Sequence, residues 1–199
     1  MRVIRAADYR PMPWKNGGGE TVEIAASPAD AGMEGFDWRV SMARVARKVP
    51  FSSFEGVDRT LSILDGAGLR LDIAGRAPVE LTAGSPPLSF PADLPATATL
   101  ADGPVRDLNV MTRRGAVEHA VDRLALAGRR ELPVDAATAL LFCRSGSVEV
   151  AIGDELATLD ADDTLLVELC PALPWALHPQ PSATVFLIRL RPARPWPLG

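Results

Sequence analysis

The chain is poor in the residue types that most often build metal and redox centres. It has only two histidines, His119 and His178, and only two cysteines, Cys143 and Cys170. Two histidines exclude a metal shell of three histidines. The cysteines lie in apolar, strand-like segments without metal-binding or redox spacing, which predicts free, buried thiols rather than a disulfide. We therefore predict no metal site and no cofactor.

Lysines and long apolar runs are scarce as well. Lys15 and Lys48 are the only lysines, the arginines are scattered and the net charge is −4, so nothing indicates affinity for nucleic acid. No apolar run approaches the roughly 18 residues of a membrane span, and no apolar signal core begins the chain. We therefore predict a cytoplasmic protein without nucleic-acid or membrane partners. The sequence leaves a homodimer open.

Short alternating segments, separated by 18 prolines and 16 glycines, predict an all-β sandwich or barrel. Residues 60–73 read as a strand, a turn at Gly66–Gly68 and a second strand, and residues 140–152 repeat that order around Gly146. The repeat predicts two fused β-barrels or sandwiches, residues 1–115 and 116–199. A single barrel with a coincidental similarity is the alternative.

This layout resembles the cupin superfamily, whose core is a strand, a glycine turn and a strand. With Gly66 as the last glycine of the cupin metal motif, Arg59 stands where a metal-binding glutamate is expected. A guanidinium instead matches a carboxylate through two parallel hydrogen bonds. An arginine inside a barrel needs either a ligand or a structural counter-charge such as Asp58, and both interpretations stay open.

A run of three glycines, Gly17 to Gly19, lies between Trp14 and the polar Glu20–Thr21 pair, with Lys15 and Asn16 before it. A phosphate-binding loop is excluded, because its lysine follows the glycines and a helix comes next. Here the lysine precedes them and an alternating strand follows. The run is either a loop that approaches a ligand closely or an ordinary flexible turn.

Four ordered blocks, residues 14–21, 36–41, 50–59 and 107–111, are similar to the HutD/Ves family. The resemblance covers most of residues 1–115 and implies a metal-free bicupin. In the HutD branch it implies a non-catalytic modulator of histidine utilisation that senses a small carboxylate such as urocanate or formylglutamate. In the Ves branch it implies a stress-related protein without a clear biochemical role. The sequence does not decide between the branches.

The resulting hypothesis is a carboxylate receptor at the mouth of the first barrel. Arg59 pairs with the anion, Trp14 covers it, and Ser52 with backbone N–H groups near the glycines donates hydrogen bonds. Asp107 and Asn109 share one strand face, and the family resemblance favours the inward over the solvent orientation. The predicted ligand-binding residues are Trp14, Asn16, Gly18, Gly19, Glu20, Ser52, Arg59, Asp107 and Asn109.

Three residues near the predicted binding residues, Arg39, Phe51 and Phe54, are expected to have structural roles. Arg39 and Ser41 alternate with the apolar Trp38, Val40 and Met42, and the apolar set is the better core candidate. We therefore expect Arg39 to be exposed or at a module interface. Phe51 and Phe54 are expected to pack rather than to recognise a ligand.

Two other functional classes compete with the receptor. In a metal-independent cupin enzyme of the isomerase or hydratase type, Glu20 or Asp107 acts as a general base, although no catalytic residue is assigned. In a Ves-type interaction protein, the Pro-rich tail (residues 189–199) docks on a partner. The default for that tail is packing back on the second barrel, which buries Trp196.

Overall fold

The computed structural model describes residues 1–14, 19–32 and 35–193. These residues contain no α-helix, only a 3-10 turn at Ala6–Asp8 and strands, which confirms the all-β prediction. The strands are β1 (Arg2–Ile4), β2 (Arg10–Pro13), β3 (Gly19–Ser27), β4 (Trp38–Val45), β5 (Val49–Pro50), β6 (Val57–Asp65), β7 (Leu69–Ile73), β8 (Val79–Leu81), β9 (Leu88–Pro91), β10 (Ala96–Leu100), β11 (Val105–Arg113), β12 (Val117–Leu126), β13 (Arg130–Pro133), β14 (Thr138–Ile152), β15 (Glu155–Leu159), β16 (Thr164–Glu168) and β17 (Pro174–Pro192).

The chain forms two compact units. The first unit holds residues 10–117 and Ala193, and the second unit holds residues 1–9 and 118–192. The sequence prediction placed its boundary near residue 115 and assigned residues 1–9 to the first module. Within the described residues, no helix has both the length and the apolar character needed to cross a membrane.

The first unit is a sandwich of two antiparallel sheets. One sheet has the order β2-β3-β4-β11-β6-β9, and the other has the order β5-β10-β7-β8. Val, Leu, Ile and Phe side chains at alternate positions of these strands face each other, as the period of two requires. The apolar core between the sheets includes Leu61, Ile63, Leu71, Phe90 and Ala98.

The second unit is one seven-stranded sheet built on two long strands. β14 pairs with β17 along almost its whole length, with β16 near its start and with β15 near its end. Its core is apolar, with Trp175, Val150 and Leu141 fully buried. Cys143 is buried and Cys170 half-buried, and both are free thiols, as predicted.

The predicted turn at Gly146 is a bend within one strand. The sequence pattern divided residues 140–152 into two strands around a glycine turn, but β14 is continuous there. Ser145 and Gly146 still pair with Thr184 and Ala183 of β17, although the register shifts on both sides. The partner strand β17 is continuous there as well, so the two strands stay paired through the glycine.

Short polar contacts attach residues 1–9 to the second unit. Arg5 donates to the Asp163 carboxylate at 2.6 Å, and the Tyr9 hydroxyl donates to the carbonyl of Asp162 at 2.6 Å. β1 pairs antiparallel with β16. These contacts explain why the first residues belong to the second unit and not to the unit that follows them in sequence.

Candidate functional site

A buried polar face lies on the six-stranded sheet of the first unit. Asp107, Asn109 and Met111 of β11 stand opposite Ala43, Ser41 and Arg39 of β4 and opposite Ile63, Leu61 and Arg59 of β6. Glu23 of β3 stands opposite Ser41. Because side chains alternate along a strand, these registers place the charged members on one side of the sheet. We call Glu23, Arg39, Ser41, Arg59, Asp107 and Asn109 the polar face.

Arg59 is buried, with 3% of its surface exposed. One guanidinium nitrogen, Nη2, donates to the carbonyl of Ser52 at 3.1 Å and approaches the Met111 sulfur at 3.5 Å. Nε has no hydrogen-bond partner among the described residues. Burial lowers the pKa of Arg59 to about 10, Asp107 opposes that shift and Arg39 adds to it. The side chain therefore stays protonated at neutral pH, and its Nε–H group is available to a ligand.

Aromatic rings hold the Arg59 guanidinium in place. Its Cζ lies 5.2 Å from the ring centroid of Phe51, 5.4 Å from that of Phe54 and 5.9 Å from that of Phe90. Cation–π attraction at such distances stabilises the charge and fixes the plane of the guanidinium. Phe51 and Phe54 therefore pack, as predicted, and they pack on the candidate binding group.

Asp107 is fully buried. Its Oδ1 accepts a hydrogen bond from the Asn109 side-chain amide at 2.5 Å, and its Oδ2 has no partner within the described part of the chain. Burial raises the pKa of Asp107 to about 7, against the lowering effects of the Arg59 charge, Asn109 and the Ala43 backbone N–H. The carboxyl group therefore holds its proton to a much higher pH than an ordinary aspartate does.

This raised pKa predicts that the contribution of Asp107 to the stability of the protein falls as the pH rises. The native state holds the Asp107 proton up to about pH 7, whereas the unfolded chain releases it near pH 3.8, so the native state binds more protons between those values. This contribution therefore falls across that window and levels off above it. In thermal unfolding, we expect the gain in Tm of Asp107→Asn over the wild type to grow from pH 5 to pH 7. A gain that does not vary with pH would contradict the raised pKa.

Arg39 is a member of the polar face. Of the two placements predicted for it, exposed or at a module interface, the exposed one is wrong. Its surface is 2% exposed; Nε donates to the Glu23 carboxylate at 2.7 Å and Nη1 lies 3.4 Å from the Ser41 hydroxyl. Nη2 has no partner among the residues described. Trp38, Val40 and Met42 on the other side of β4 are buried too. When a strand is buried on both sides, the alternation of its side chains in the sequence does not show which side holds the polar site.

Trp14 and Gly19 lie together at the edge of the six-stranded sheet. The Trp14 backbone N–H donates to the Gly19 carbonyl at 3.0 Å, and its indole N–H donates to Thr21 at 2.8 Å. A Cβ on Gly19 would lie 2.9 Å from the Trp14 ring and 2.3 Å from the Arg44 carbonyl. Gly19 is therefore required by packing, and the indole N–H is already occupied within the protein.

The other predicted site residues are placed as follows. Ser52 is exposed and contributes its carbonyl to Arg59. Glu20 stands opposite Arg44, is exposed, and alternates with Thr21 and Glu23, so it does not share the polar face. Asn16 and Gly18 lie outside the described residues, as do Lys15 and the tail from Arg194, including Trp196.

Of the carboxylates suggested as a counter-charge for Arg59, Asp58 is engaged elsewhere. Asp58 pairs with Arg114 at 2.9 Å on the surface. Asp107 is the carboxylate whose charge acts on Arg59. Asp58 does not pair with Arg59 because adjacent residues of a strand, here 58 and 59 of β6, point to opposite sides of the sheet.

An open cleft lies beside the loop that follows β5. Its volume is about 820 Å³ and it is lined by Phe36, Ser52, Ser53, Phe54, Glu55, Val57 and Arg113. The Phe54 ring belongs to both features: it lies 6.1 Å from the Phe36 ring and also faces Arg59. The described residues contain no cluster of three His, Cys, Asp or Glu side chains able to hold a metal ion.

Solved structures of distant sequence share the fold of this chain. The chain has a cupin-like, all-β fold, with strands arranged as in YlbA from Escherichia coli (TM-score 0.71, 9% identity, 94% of this chain and 89% of that one). A variant of oxalate decarboxylase OxdC from Bacillus subtilis has the same fold (TM-score 0.68, 9% identity, 94% of this chain and 76% of that one). At such low identity these two structures show the fold alone.

The family follows from closer relatives. The family described as HutD matches residues 6–185, and the chain belongs to it. It is 35% identical, over 84% of its length and 87% of the relative's, to an uncharacterised 21.2 kDa protein in the hutC 3′ region of Pseudomonas putida. It is 34% identical to protein Ves of Citrobacter koseri, over 77% of this chain and 78% of that protein.

Two solved structures of similar sequence agree with this assignment. A conserved protein of unknown function from Pseudomonas aeruginosa PAO1 gives a TM-score of 0.90 at 34% identity, over 96% of this chain and 98% of that one. HutD from Pseudomonas fluorescens SBW25, in a formate condition, gives 0.81 at 32% identity, over the same shares. The resemblance found in the sequence is therefore confirmed.

Proposed function

We propose that this protein is a non-catalytic, small-carboxylate-binding regulator that modulates histidine utilisation. The observation that carries the proposal is Arg59, a buried arginine whose Nε has no hydrogen-bond partner among the described residues. Membership of the HutD family and similarity to a protein in a hutC 3′ region support the pathway.

Electrostatics favours an anion at Arg59. The neighbouring Arg39 already has a carboxylate partner in Glu23 at 2.7 Å, whereas no ion pair to Arg59 is formed among the described residues. Asp107, the carboxyl group whose charge acts on Arg59, compensates it only in part, because burial raises the pKa of Asp107 to about 7 and so disfavours its charged form. A buried charge without full compensation is costly, and a ligand carboxylate removes that cost.

Urocanate and formylglutamate both suit the remaining groups. Each carries a carboxylate for Arg59 and a second polar group, an imidazole or a formamide with a further carboxylate. The unpartnered Oδ2 of Asp107 and the spare Nη2 of Arg39 are candidates for that second group. A ligand with two polar ends is thus favoured over a simple fatty acid, because a buried polar atom left unpaired costs about 1–3 kcal/mol.

The test is a proton NMR time course of the purified protein with urocanate and formylglutamate in turn. Broadened or shifted ligand signals without new peaks are expected, since the proposal is binding without turnover. Unchanged spectra for both ligands would contradict the proposal and would favour a Ves-type interaction protein.

An acid–base enzyme is the second candidate, because one observation favours it. A carboxyl group with a pKa near 7 and a free oxygen is suited to general acid–base catalysis at neutral pH. Asp107 is that group, whereas Glu20 lies away from the polar face. New product peaks in the same time course, lost in Asp107→Asn, would establish this candidate in place of the regulator.

A further inference from the structure

The polar face carries equal numbers of acidic and basic side chains. Arg39 is paired with Glu23 at 2.7 Å, and Arg59 and Asp107 act on each other through their charges. Arg39, Arg59 and Asp107 are each no more than 3% exposed. A ligand carboxylate that joins this balanced set beside Arg59 brings one net negative charge into a buried place, provided that any second carboxylate of the ligand stays outside the polar face. An uncompensated buried charge raises the free energy of the complex, unless the site takes up a proton together with the anion.

Asp107 is the group on this face that is able to accept the proton. Arginine does not deprotonate at these pH values, and Glu23 is held by Arg39 and is partly exposed. The sequence has no histidine between residues 10 and 117, so the first unit has no imidazole to compete. The Oδ2 of Asp107 has no partner in the described part of the chain, and Oδ1 is already held by Asn109.

We propose that Asp107 takes up one proton from solvent when a carboxylate ligand binds Arg59, so that the site binds the anion and the proton together. This inference rests on the proposed function. The proton bonds to Oδ2, and the new O–H donates to an acceptor atom of the ligand. The Arg59 charge, released from Asp107, then pairs fully with the ligand carboxylate.

The surroundings of Asp107 give the sign of the pH dependence. Arg59 from β6 favours the ionised carboxylate, whereas burial and a bound anion favour the protonated form. The other charged side chains of the polar face, Arg39 from β4 and Glu23 from β3, pair with each other. When Asp107 is already protonated, at low pH, the ligand binds without any further proton uptake. Affinity is therefore constant below about pH 7, where the carboxyl titrates in the free protein, and falls by up to about tenfold per pH unit above it.

The test is isothermal titration calorimetry with N-formylglutamate, whose own carboxyl groups titrate below about pH 5. Titrations at pH 8 in buffers of different ionisation enthalpy give the number of protons taken up per ligand. We expect about one proton at pH 8 and close to none at pH 6. Binding without proton uptake at pH 8 would overturn the inference and leave the proposed function standing, whereas no binding at either pH would overturn both.

Asp107→Asn gives an independent readout. Its amide mimics the protonated carboxyl, so the variant is expected to bind with an affinity that does not change between pH 6 and pH 9 and with no proton uptake. Asp72→Asn is the matched control, since Asp72 lies on β7 and is partly exposed beside Arg70; it should keep the wild-type pH dependence. An Asp107→Asn protein that retains that dependence would assign the proton to another group.

Discussion

Replacing Arg59 by methionine is expected to weaken the binding of formylglutamate by about 30-fold or more while the protein remains folded. Loss of a charge-assisted bond to a buried carboxylate costs about 2–5 kcal/mol. Methionine retains most of the side-chain volume between Phe51, Phe54 and Phe90, which surround the guanidinium. Titration calorimetry at pH 6 measures the affinity, and the thermal transition reports the fold.

The matched control is Arg70→Met, because Arg70 is a half-exposed arginine that pairs with Asp72 on the surface of β7. It removes the same charge and should bind like the wild type. Arg59→Lys is expected to bind almost as poorly as Arg59→Met, since an ammonium cannot reproduce the two-pronged geometry of a guanidinium. Wild-type affinity in Arg59→Met would mean that the anion binds elsewhere.

Gly146→Ala is expected to be the most destabilising small substitution in the second unit. Gly146 has φ +77°, and a Cβ there would lie 2.0 Å from the Ser182 carbonyl oxygen, which is backbone. Neither the strained conformation nor the clash is relieved by a rotamer change. We expect a loss of about 3–5 kcal/mol in the free energy of unfolding, measured by urea denaturation.

Gly128→Ala is the control for that prediction. It lies in the same unit, and a Cβ there meets no heavy atom within 4 Å, so its expected change is within about 0.5 kcal/mol. Equal stability of the two variants would show that β14 does not need its bend at Gly146.

The fold could be predicted largely from local patterns. Alternation and punctuation by proline and glycine identified β6 and β7 around the Gly66–Gly68 turn, and Gly66 does have a positive φ of 93°. The same pattern around Gly146 was divided into two strands, because local sequence does not show that β17 continues to pair across the bend. Long-range pairing decides whether a left-handed glycine ends a strand or bends it.

The site was only partly predictable for a related reason. Arg59 was found because it replaces an expected metal ligand within a recognisable strand. Asp107 and Asn109 could not be oriented by alternation, since Leu108 and Val110 between them are buried as well. The burial of Arg39 was not predicted for the same reason, since its apolar neighbours Trp38 and Val40 on β4 are also buried. Where a strand is buried on both sides, only its register with its neighbours shows which polar residues meet.

The most direct test of the account is a crystal structure of the protein with bound formylglutamate at pH 6. We predict a ligand carboxylate within about 3 Å of Arg59 Nε, with the ligand also bonded to Oδ2 of Asp107. Ligand density away from the polar face, with both atoms still without a partner, would contradict the claim that Arg59 and Asp107 form the binding site.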